Sequence, residues 1–425
     1  MRKMKDSGIE WIGEIPEEWK IVRYKNIMHK EKTICDHYHG QDIISLTMNG
    51  VIVRDLNAGG KMPTTFDGYQ YVEPEKLLLC LFDIDVTPRC VGVIKNYGLT
   101  SPAYSKFVMH KGYDCNYYDY LLRTIDDKKV FVHLSKNLRS SLTENDFGVL
   151  PTIAPNQAEQ TAIAAYLDRQ CTHIDNIIEK TKTSIEEYKK LKQAVITQAV
   201  TKGIRGKREM KDSGIDWIGE IPEGYSVCRL KFLLEEPLMY GANESGVFYD
   251  DNKIRYIRIT DITPDGYLKD TGKLSLEENT AKPYILKDLD VLFARSGATV
   301  GKAFIYKKEY GIAAFAGYLI RARVNNNICA KYLYYYTMSS LYVEWKNQTF
   351  IQSTIQNIGA DRYNQLPVVL PNSTNEQTEI AAYLDQKCTE IDAIITKKQQ
   401  FMTEMENYKK SLIYECVTGK REVSV

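Results

Sequence analysis

The feature that most constrains this sequence is a long segment that occurs twice. Ala164-Ala-Tyr-Leu-Asp168 returns as Ala381-Ala-Tyr-Leu-Asp385, at an offset of 217 residues (164 to 381) that holds along the segment. In both copies apolar residues recur at alternating steps of three and four, and neither Gly nor Pro interrupts them. Such a period over several heptads is typical of a long helix that packs along a partner helix. We therefore predict two long helices that are partners for each other.

The apolar positions of this period define a predicted seam between the helices. The seam residues are Leu167, Ile174, Ile178 and Ile185 in the first copy and Leu384, Ile391, Ile395 and Met402 in the second. Polar residues also recur in register, Thr181 with Lys398 and Lys192 with Lys409. A polar residue in a seam usually fixes register at some cost in stability. A single run of this kind would more often be an ordinary amphipathic core helix, but its recurrence favours a two-helix spacer.

Both helices begin with a capping pattern. Asn156 follows a proline and precedes Glu159 by three residues, and Ser373 stands in the same relation to Glu376. A polar side chain with Glu three residues later predicts a capping box at a helix start.

A second repeat lies outside the predicted helices. The segment from Lys5 to Pro16, Lys-Asp-Ser-Gly-Ile-Glu-Trp-Ile-Gly-Glu-Ile-Pro, returns almost unchanged from Lys211 to Pro222. Internal duplication is therefore the architecture. The tryptophan of the motif is interpreted as an anchor that pins an irregular segment to a core, although a docking patch for a partner is an alternative.

The two ends of the sequence resemble its middle. The linker from Val200 reads Val-Thr-Lys-Gly-Ile-Arg-Gly-Lys-Arg-Glu-Met-Lys-Asp-Ser-Gly. The end reads Val-Thr-Gly-Lys-Arg-Glu from Val417, and the beginning reads Met-Lys-Asp-Ser-Gly from Met4. Joining end to beginning nearly rebuilds the linker. We therefore expect a pseudo-two-fold arrangement with antiparallel long helices and neighbouring termini.

Composition sets mild limits. The 425 residues provide room for two or three domains, and 56 Lys+Arg against 55 Asp+Glu give no overall field that would indicate a nucleic-acid partner. The nine cysteines contain no Cys-x-x-Cys pair, and the sequence shows no signal peptide or long apolar run. We expect a soluble cytoplasmic protein with reduced thiols.

Two segments of unlike sequence lie between the repeats, and both mix β-rich runs with turn residues and one helical stretch. The second helical stretch is predicted from Ala330 to Tyr342. The predicted fold class is α+β, with two mixed α/β domains joined by two long antiparallel coiled-coil helices. The predicted boundaries are a first domain at 1–155, a first helical region at 156–205, a second domain at 206–371 and a second helical region with tail at 372–425.

Catalytic motifs are missing from the sequence. Ser296-Gly-Ala-Thr-Val-Gly-Lys302 resembles a phosphate-binding loop, but it is one residue short and is followed by Ala where Mg²⁺ binding needs Ser or Thr. Cys35, His37 and His39 are close together, but no second pair of ligands stands at a useful spacing, so a surface loop is favoured over a metal site. We predict neither a catalytic residue nor a metal site in this chain.

The two unlike segments offer polar and cationic residues in predicted loops. Arg and Lys read guanine, Asn and Gln read adenine, and Ser and Thr hold phosphates. Each residue alone is more often a solvated surface group, and the signal comes from variable loops on a repeated scaffold. The candidate DNA-binding residues are Arg54, Lys61, Thr64, Arg89, Lys95 and Ser101 in the first segment and Arg258, Thr260, Lys282, Arg295, Ser296, Thr299, Lys302, Gln352, Ser353 and Gln356 in the second.

The duplicated motifs resemble a known family. The Lys-Asp-Ser-Gly-Ile-Glu-Trp-Ile-Gly-Glu-Ile-Pro segment, the Gln-x-x-Ile-Ala-x-Tyr-Leu-Asp helix start and the half-repeat layout are similar to those of the specificity subunits of type I restriction-modification systems. The resemblance covers the whole chain. Two small departures are Tyr225 at the position of Trp19 and the exchange of Lys-Gly at 202–203 for Gly-Lys at 419–420.

The resemblance implies a non-catalytic subunit that binds double-stranded DNA through two target-recognition domains, each reading one half of a split sequence. It implies two methyltransferase subunits that bring S-adenosylmethionine, and endonuclease/translocase subunits that use ATP and Mg²⁺, while this chain binds no cofactor. The alternative hypothesis is a coiled-coil scaffold whose repeated domains bind proteins. Neither the DNA target, its gap, nor the methylated base follows from the sequence.

Overall fold

The structure is a computed structural model that describes residues 2–48, 50–58, 63–87, 89–135, 140–263, 266–351 and 357–423. The chain divides into two compact units. The first unit comprises Met1–Thr181 with Gln400–Val425, and the second comprises Lys182–Gln399.

The helices include the two long ones that the repeat predicts, of 46 and 44 residues. The α-helices are α1 (Cys115–Asp127), α2 (Val130–Leu134), α3 (Glu144–Val149), α4 (Gln157–Lys202), α5 (Glu278–Ala281), α6 (Ala330–Tyr336), α7 (Ser340–Ile351), α8 (Ala360–Asn364) and α9 (Thr374–Val417). The prediction of long helices joining two mixed α/β domains is therefore confirmed.

Among the described residues the strands are short and fall into two sets of twelve, one per unit. Those of the first unit are β1 (Met4–Asp6), β2 (Glu14–Pro16), β3 (Lys20–Arg23), β4 (Met28–Glu31), β5 (Ile44–Thr47), β6 (Gly50–Val53), β7 (Gln70–Val72), β8 (Leu77–Leu79), β9 (Val91–Val93), β10 (Gly98–Thr100), β11 (Ser105–Met109) and β12 (Pro151–Ala154). Those of the second are β13 (Met210–Asp212), β14 (Glu220–Pro222), β15 (Tyr225–Arg229), β16 (Met239–Tyr240), β17 (Val247–Phe248), β18 (Ile254–Ile257), β19 (Leu274–Leu276), β20 (Val291–Ala294), β21 (Ala303–Ile305), β22 (Ala313–Phe315), β23 (Leu319–Ala322) and β24 (Pro367–Pro371).

The first unit is built around a four-stranded antiparallel sheet in the order β4-β11-β8-β9. Successive side chains of a strand point to opposite faces. Accordingly Leu77 and Leu79 pack in the core that contains α1, whereas Leu78 packs with Ile44 and Val51 of the β5–β6 hairpin. The sheet is thus buried on both faces, which explains why β8 is a continuous run of leucines.

The second unit repeats this sheet in the order β16-β23-β20-β21. Val291 and Phe293 of β20 pack in the core that contains α6, whereas Leu292 and Ala294 pack with residues of β18 and β22. A second sheet, β17-β19-β18-β22, contains a parallel pair between β18 and β22. The order of the four-stranded sheet is therefore the same in both units although the residues differ.

Within each unit α4 and α9 pack antiparallel. In the first unit Leu167 and Ile174 share a core with Leu412 and Cys416, so the start of α4 meets the end of α9. In the second unit the end of α4 meets the start of α9, because Ala199 shares a core with Leu384, Cys388 and other residues.

Two of the four polar seam positions, Lys192 and Lys409, have charged partners. Lys409 Nζ lies 2.6 Å from an Asp175 carboxylate oxygen in the first unit, and Lys192 Nζ lies 2.6 Å from an Asp392 carboxylate oxygen in the second. These pairs occupy equivalent positions in the two repeats. Each aspartate directly follows a seam isoleucine, Ile174 or Ile391. The ion pairs therefore support the register between α4 and α9, and because their side chains are partly exposed, the desolvation cost is small.

Both long helices are followed closely by a glycine in the left-handed region. Gly203 has φ of 77° and Gly419 has φ of 72°. A Cβ would lie 2.6 Å from the Tyr225 hydroxyl at the first position and 2.4 Å from Pro16 Cδ at the second. Glycine is therefore required at both ends for conformation and for space.

One predicted element is wrong in its extent. The helix expected from Ala330 to Tyr342 is two helices, α6 and α7, separated at 337–339. Ser339 Oγ accepts a hydrogen bond of 3.3 Å from the Tyr342 amide, so Ser339 caps α7 and starts a new helix.

Candidate nucleic-acid interface

In each unit a largely buried glutamate in the first turn of a long helix binds the segment that contains or follows the repeated motif. In the first unit Asn156 Oδ1 accepts a hydrogen bond of 2.9 Å from the Glu159 amide, which is one of the two hydrogen bonds of the predicted capping box. The Glu159 carboxylate accepts hydrogen bonds from the Arg2 guanidinium at 2.5 Å and from Trp19 Nε1 at 3.0 Å. Trp19, which lies just after the repeated motif, is thus fully buried against the start of α4, whereas Trp11, the predicted anchor within the motif, is partly buried and packs against the same core.

The second unit repeats this arrangement with one exchange. Glu376 lies 2.6 Å from the Arg208 guanidinium and accepts a hydrogen bond of 3.0 Å from the Tyr225 hydroxyl. Tyr225 replaces Trp19 and still supplies one donor to the equivalent carboxylate. The departure noted in the sequence therefore preserves the contact.

One tyrosine in each unit ties the unlike segment to a long helix. Tyr120 donates a hydrogen bond of 2.7 Å to Asp168 of α4, and Tyr335 donates one of 2.7 Å to Asp385 of α9. Burial and the adjacent carboxylate raise the pKa of both phenols well above the usual value, so both remain donors. The unlike segments are therefore mounted on the repeated frame by matching contacts.

The equivalent hairpins of the two four-stranded sheets carry unlike loops. In the first unit residues 80–90 join β8 to β9, and in the second unit residues 295–302 join β20 to β21. Arg89 and Arg295 lie in these two equivalent loops. A rigid sheet that presents variable loops is the usual arrangement for a recognition surface.

In the second unit the loop brings four of the sequence candidates together, Arg295, Ser296, Thr299 and Lys302. Ser296 forms a bridge with Asn357, which follows the segment 352–356. Lys302 is exposed. Together with Arg295 it gives this loop two cations.

Lys346 of α7 adds a third cation that the sequence candidates lacked. A Cβ on Gly301 would meet its side chain, so Lys346 lies against the loop. Burial and the neighbouring Lys302 ammonium lower the pKa of Lys346. A phosphate nearby would offset both effects, because an opposite charge favours the ammonium form.

In the first unit the equivalent loop is tied down by the protein. Arg89 donates a hydrogen bond of 2.7 Å to the Met48 carbonyl, and burial together with Arg123 holds its pKa below the usual value. The Cys90 amide donates to Asp126 at 2.7 Å. Arg89 therefore holds a loop in place before any ligand arrives.

The remaining candidates are dispersed. Thr64, Lys95, Thr260 and Lys282 are exposed, Arg54 and Ser101 are half-buried, and Arg258 is held by the Asp261 carboxylate and the Gly272 carbonyl. Lys61, Gln352, Ser353 and Gln356 lie outside the described residues. The structure thus collects one cluster of candidates in the second unit and leaves those of the first unit apart.

Aromatic residues beside these loops were missed from the sequence. Tyr240 of β16 lies under Arg295, with the guanidinium carbon 4.9 Å from the ring centroid, and Tyr318 is 60% exposed next to the loop backbone. Tyr97 is 76% exposed in the turn that contains Lys95. The sequence shows that tyrosines lie near arginines along the chain. It does not show that β16 and β20 both pair with β23, which is what brings Tyr240 close to Arg295.

Among the described residues no group of three or more His, Cys, Asp or Glu side chains could hold a metal ion. In the same part of the chain no helix is both long and apolar enough to cross a membrane.

The chain is similar to known proteins in sequence. A family model for the type I restriction modification DNA specificity domain matches residues 239–401. The putative type I restriction enzyme MjaX specificity subunit of Methanocaldococcus jannaschii is 25% identical over 240 residues, which cover 52% of this chain and 53% of that protein. The type I restriction enzyme StySPI specificity subunit of Salmonella potsdam is 23% identical over 288 residues, covering 64% of this chain and 58% of that protein. The chain thus spans a little over half the length of these relatives.

The fold is also similar to solved structures. A chain from a type I R-M system, described for its complex assembly and conformational transition, has a TM-score of 0.73 at 14% identity and covers 96% of this chain and 99% of its own length. The HsdS subunit of Thermoanaerobacter tengcongensis has a TM-score of 0.55 at 15% identity, covering 96% of this chain and 98% of its own. The family model and the two curated relatives are thus of one kind, type I restriction specificity subunits, and the two solved chains share the fold of this chain.

Proposed function

We propose that this chain is the sequence-specific DNA-binding subunit of a type I restriction-modification complex, and that each unit reads one half of a split DNA target. One observation carries the proposal. Both units mount the same four-stranded sheet on a long helix through matching contacts, yet the equivalent loops 80–90 and 295–302 differ in sequence and in their anchoring.

The division of labour follows from physical requirements. Phosphate contacts position a protein on DNA, while side chains that reach base edges carry the sequence information. A shared frame with two unlike loops therefore suits a reader of two different half-sites. The long helices would set the gap between half-sites. A helix rises ~1.5 Å per residue and so has a fixed length, whereas the end-to-end distance of a flexible linker varies.

The proposal assigns no chemistry to this chain. Two methyltransferase subunits would supply S-adenosylmethionine, and endonuclease/translocase subunits would supply ATP and Mg²⁺. This chain would bind those subunits but none of the three cofactors. It would act in the cytoplasm, where the DNA is accessible. The absence of catalytic motifs from the sequence is in keeping with this role.

The test is methylome sequencing of cells that express this chain with its methyltransferase partner, beside cells that lack the chain. We expect one methylated split motif with a fixed unspecified gap that depends on the chain. If the purified complex binds random duplexes as tightly as any selected sequence, the proposal is wrong and the protein-binding scaffold becomes the better hypothesis.

A further inference from the structure

The backbone of Arg295 is fixed by hydrogen bonds at both its amide and its carbonyl. Its amide donates a hydrogen bond of 3.0 Å to the Tyr318 carbonyl, and its carbonyl accepts one of 2.9 Å from the Ile358 amide. It directly follows β20, the strand between β23 and β21. The Cα of Arg295 is therefore fixed by the sheet and not by a free loop.

The side chain of Arg295 is fixed by stacking. Its guanidinium carbon lies 4.9 Å from the centroid of the Tyr240 ring, and the Tyr240 hydroxyl accepts a hydrogen bond of 2.9 Å from the Ala360 amide. A ring that is held at its far end keeps the guanidinium plane in one orientation. Stacking orders the guanidinium without using its N–H donors.

Within the described part of the chain, the guanidinium of Arg295 has no hydrogen-bond acceptor. No carboxylate forms a salt bridge with it among the described residues, and its Nε is buried without a hydrogen-bond partner there. A buried donor left unpaired costs roughly 1–3 kcal/mol. Lys302 at the end of the loop and Lys346 against Gly301 add positive charge, which attracts nucleic acid.

A planar guanidinium with free donors fits one base better than the others. Guanine presents two acceptors, N7 and O6, at the spacing of an arginine fork in the major groove, whereas adenine and cytosine present a donor in the same region. A phosphate also accepts such a fork but carries no sequence information. Tyr240 fixes the orientation of the Arg295 guanidinium plane. This favours guanine over phosphate, because N7 and O6 of guanine are held in one plane by the base, whereas a phosphate can accept the fork from many directions.

The first unit has no such group at the equivalent loop. Arg89 already donates to the Met48 carbonyl, and its surroundings contain Arg123, Asp119 and Asp126. Its charge is shared with carboxylates of the protein, so it is less available to a base. The two loops therefore differ in the contacts of their arginines as well as in sequence.

We propose that Arg295, stacked on Tyr240, reads a guanine in the half-site of the second unit. This inference rests on the proposed function, since it requires that the second unit bind DNA in a sequence-dependent way. Arg295 is the specificity-determining residue, and Tyr240 is a positioning residue that acts through it.

The experiment compares methylomes of cells carrying the intact chain, Arg295→Ala, Arg295→Lys and Tyr240→Leu, each with the methyltransferase partner. We expect one guanine position in one half-site to become degenerate with Arg295→Ala, with discrimination there reduced by about ten-fold or more. Arg295→Lys should retain part of it, and Tyr240→Leu should weaken it. The other half-site should be unchanged in all variants, which shows that the complex is folded.

Two matched variants separate base reading from general binding. Lys302→Ala, on the same loop, should weaken binding to all duplexes alike and reduce the salt dependence of binding, as expected for a phosphate contact. Arg89→Ala, on the equivalent loop, should leave the guanine position intact.

The outcomes are distinguishable. If the intact chain directs no split motif, the proposed function fails and this inference fails with it. If the split motif is present but Arg295→Ala lowers affinity for all sequences equally, or relaxes a position other than guanine, the proposed function stands and the assignment of Arg295 is overturned.

Discussion

At the scale of single residues, the two repeats keep a contact while exchanging the group that makes it. Glu159 receives a hydrogen bond from an indole and Glu376 receives one from a phenol, and an arginine completes both sites. What is repeated is a buried carboxylate with two donors, because an ionised carboxylate out of water must be fully paired. The sequence repeat shows the residues but not this pairing.

The first prediction concerns Glu159, whose side chain is 6% exposed. Glu159→Gln removes the charge that Arg2 and Trp19 share, and it leaves the Arg2 guanidinium poorly paired at a half-buried site. We expect a loss of about 1–3 kcal/mol in the free energy of unfolding. Urea denaturation followed by tryptophan fluorescence measures it.

Glu18→Gln is the matched control, because Glu18 also pairs with Arg2 but is 52% exposed. Its loss should stay below ~1 kcal/mol. Equal losses for both variants would contradict the claim that the buried carboxylate anchors the frame.

The second prediction concerns a buried lysine in the first unit. The Lys106 side chain is 2% exposed, and its Nζ lies 3.1 Å from carboxylate oxygens of both Glu31 and Glu73. Its hydrogen bond and charge hold the pKa of Glu31 below the usual value. A depressed folded-state pKa gives stability that is present above the unfolded-state pKa and is lost as pH falls through the folded-state value.

Lys106→Met should therefore flatten the acid limb of the stability curve. Between about pH 6 and pH 3 we expect the loss of stability to be smaller than in the intact chain by up to ~1 kcal/mol, because Glu31 is partly exposed and its charge is screened. Lys30→Met is the control, because Lys30 lies next to Glu31 on β4 and its own partner, Glu144, is 48% exposed. Parallel curves for Lys106→Met and the intact chain would contradict the prediction.

At the scale of elements, the sequence predicted long helices well and broken ones poorly. The 3.5-residue period predicts both long helices, α4 and α9, because many apolar positions contribute to one pattern. The α6–α7 break depends on one side chain, Ser339, and on its cap to Tyr342, which no periodicity reports. The stacking of Arg295 on Tyr240 depends on pairing of β16, β23 and β20, which the sequence does not specify either.

The third prediction concerns the predicted seam. Ile174 and Ile391 occupy equivalent positions in the two repeats and are 2% and 7% exposed. Replacing both with Asp buries an unpaired charge at each site, and we expect a loss of roughly 3 kcal/mol or more per site. Denaturation and small-angle scattering should show lower stability and larger solution dimensions.

Thr172→Asp with Thr389→Asp is the control, since both threonines are exposed and equivalent in the repeats. This pair should change stability by less than ~1 kcal/mol. If the isoleucine double variant keeps the solution dimensions and stability of the intact chain, the two helices are not partners.

At the scale of the whole molecule, each long helix contributes residues to both units. The chain passes from one unit to the other between Thr181 and Lys182 in α4 and between Gln399 and Gln400 in α9. A rigid two-helix spacer at these points would fix the distance between the two reading loops independently of what the loops read. The frame and the loops should therefore be separable by mutation.

The last prediction lengthens the spacer at those two points. Inserting one heptad after Thr181 and one after Gln399 keeps the alternating steps of three and four, so the seam remains in register. Seven residues add ~10 Å of helix, which corresponds to about three base pairs at ~3.4 Å each. Methylome sequencing should therefore give the same two half-sites with a longer gap.

The control inserts a heptad in one helix alone, which should disrupt the seam and abolish methylation. An unchanged gap would show that the helices do not set the spacing, and a changed half-site sequence would show that they take part in reading.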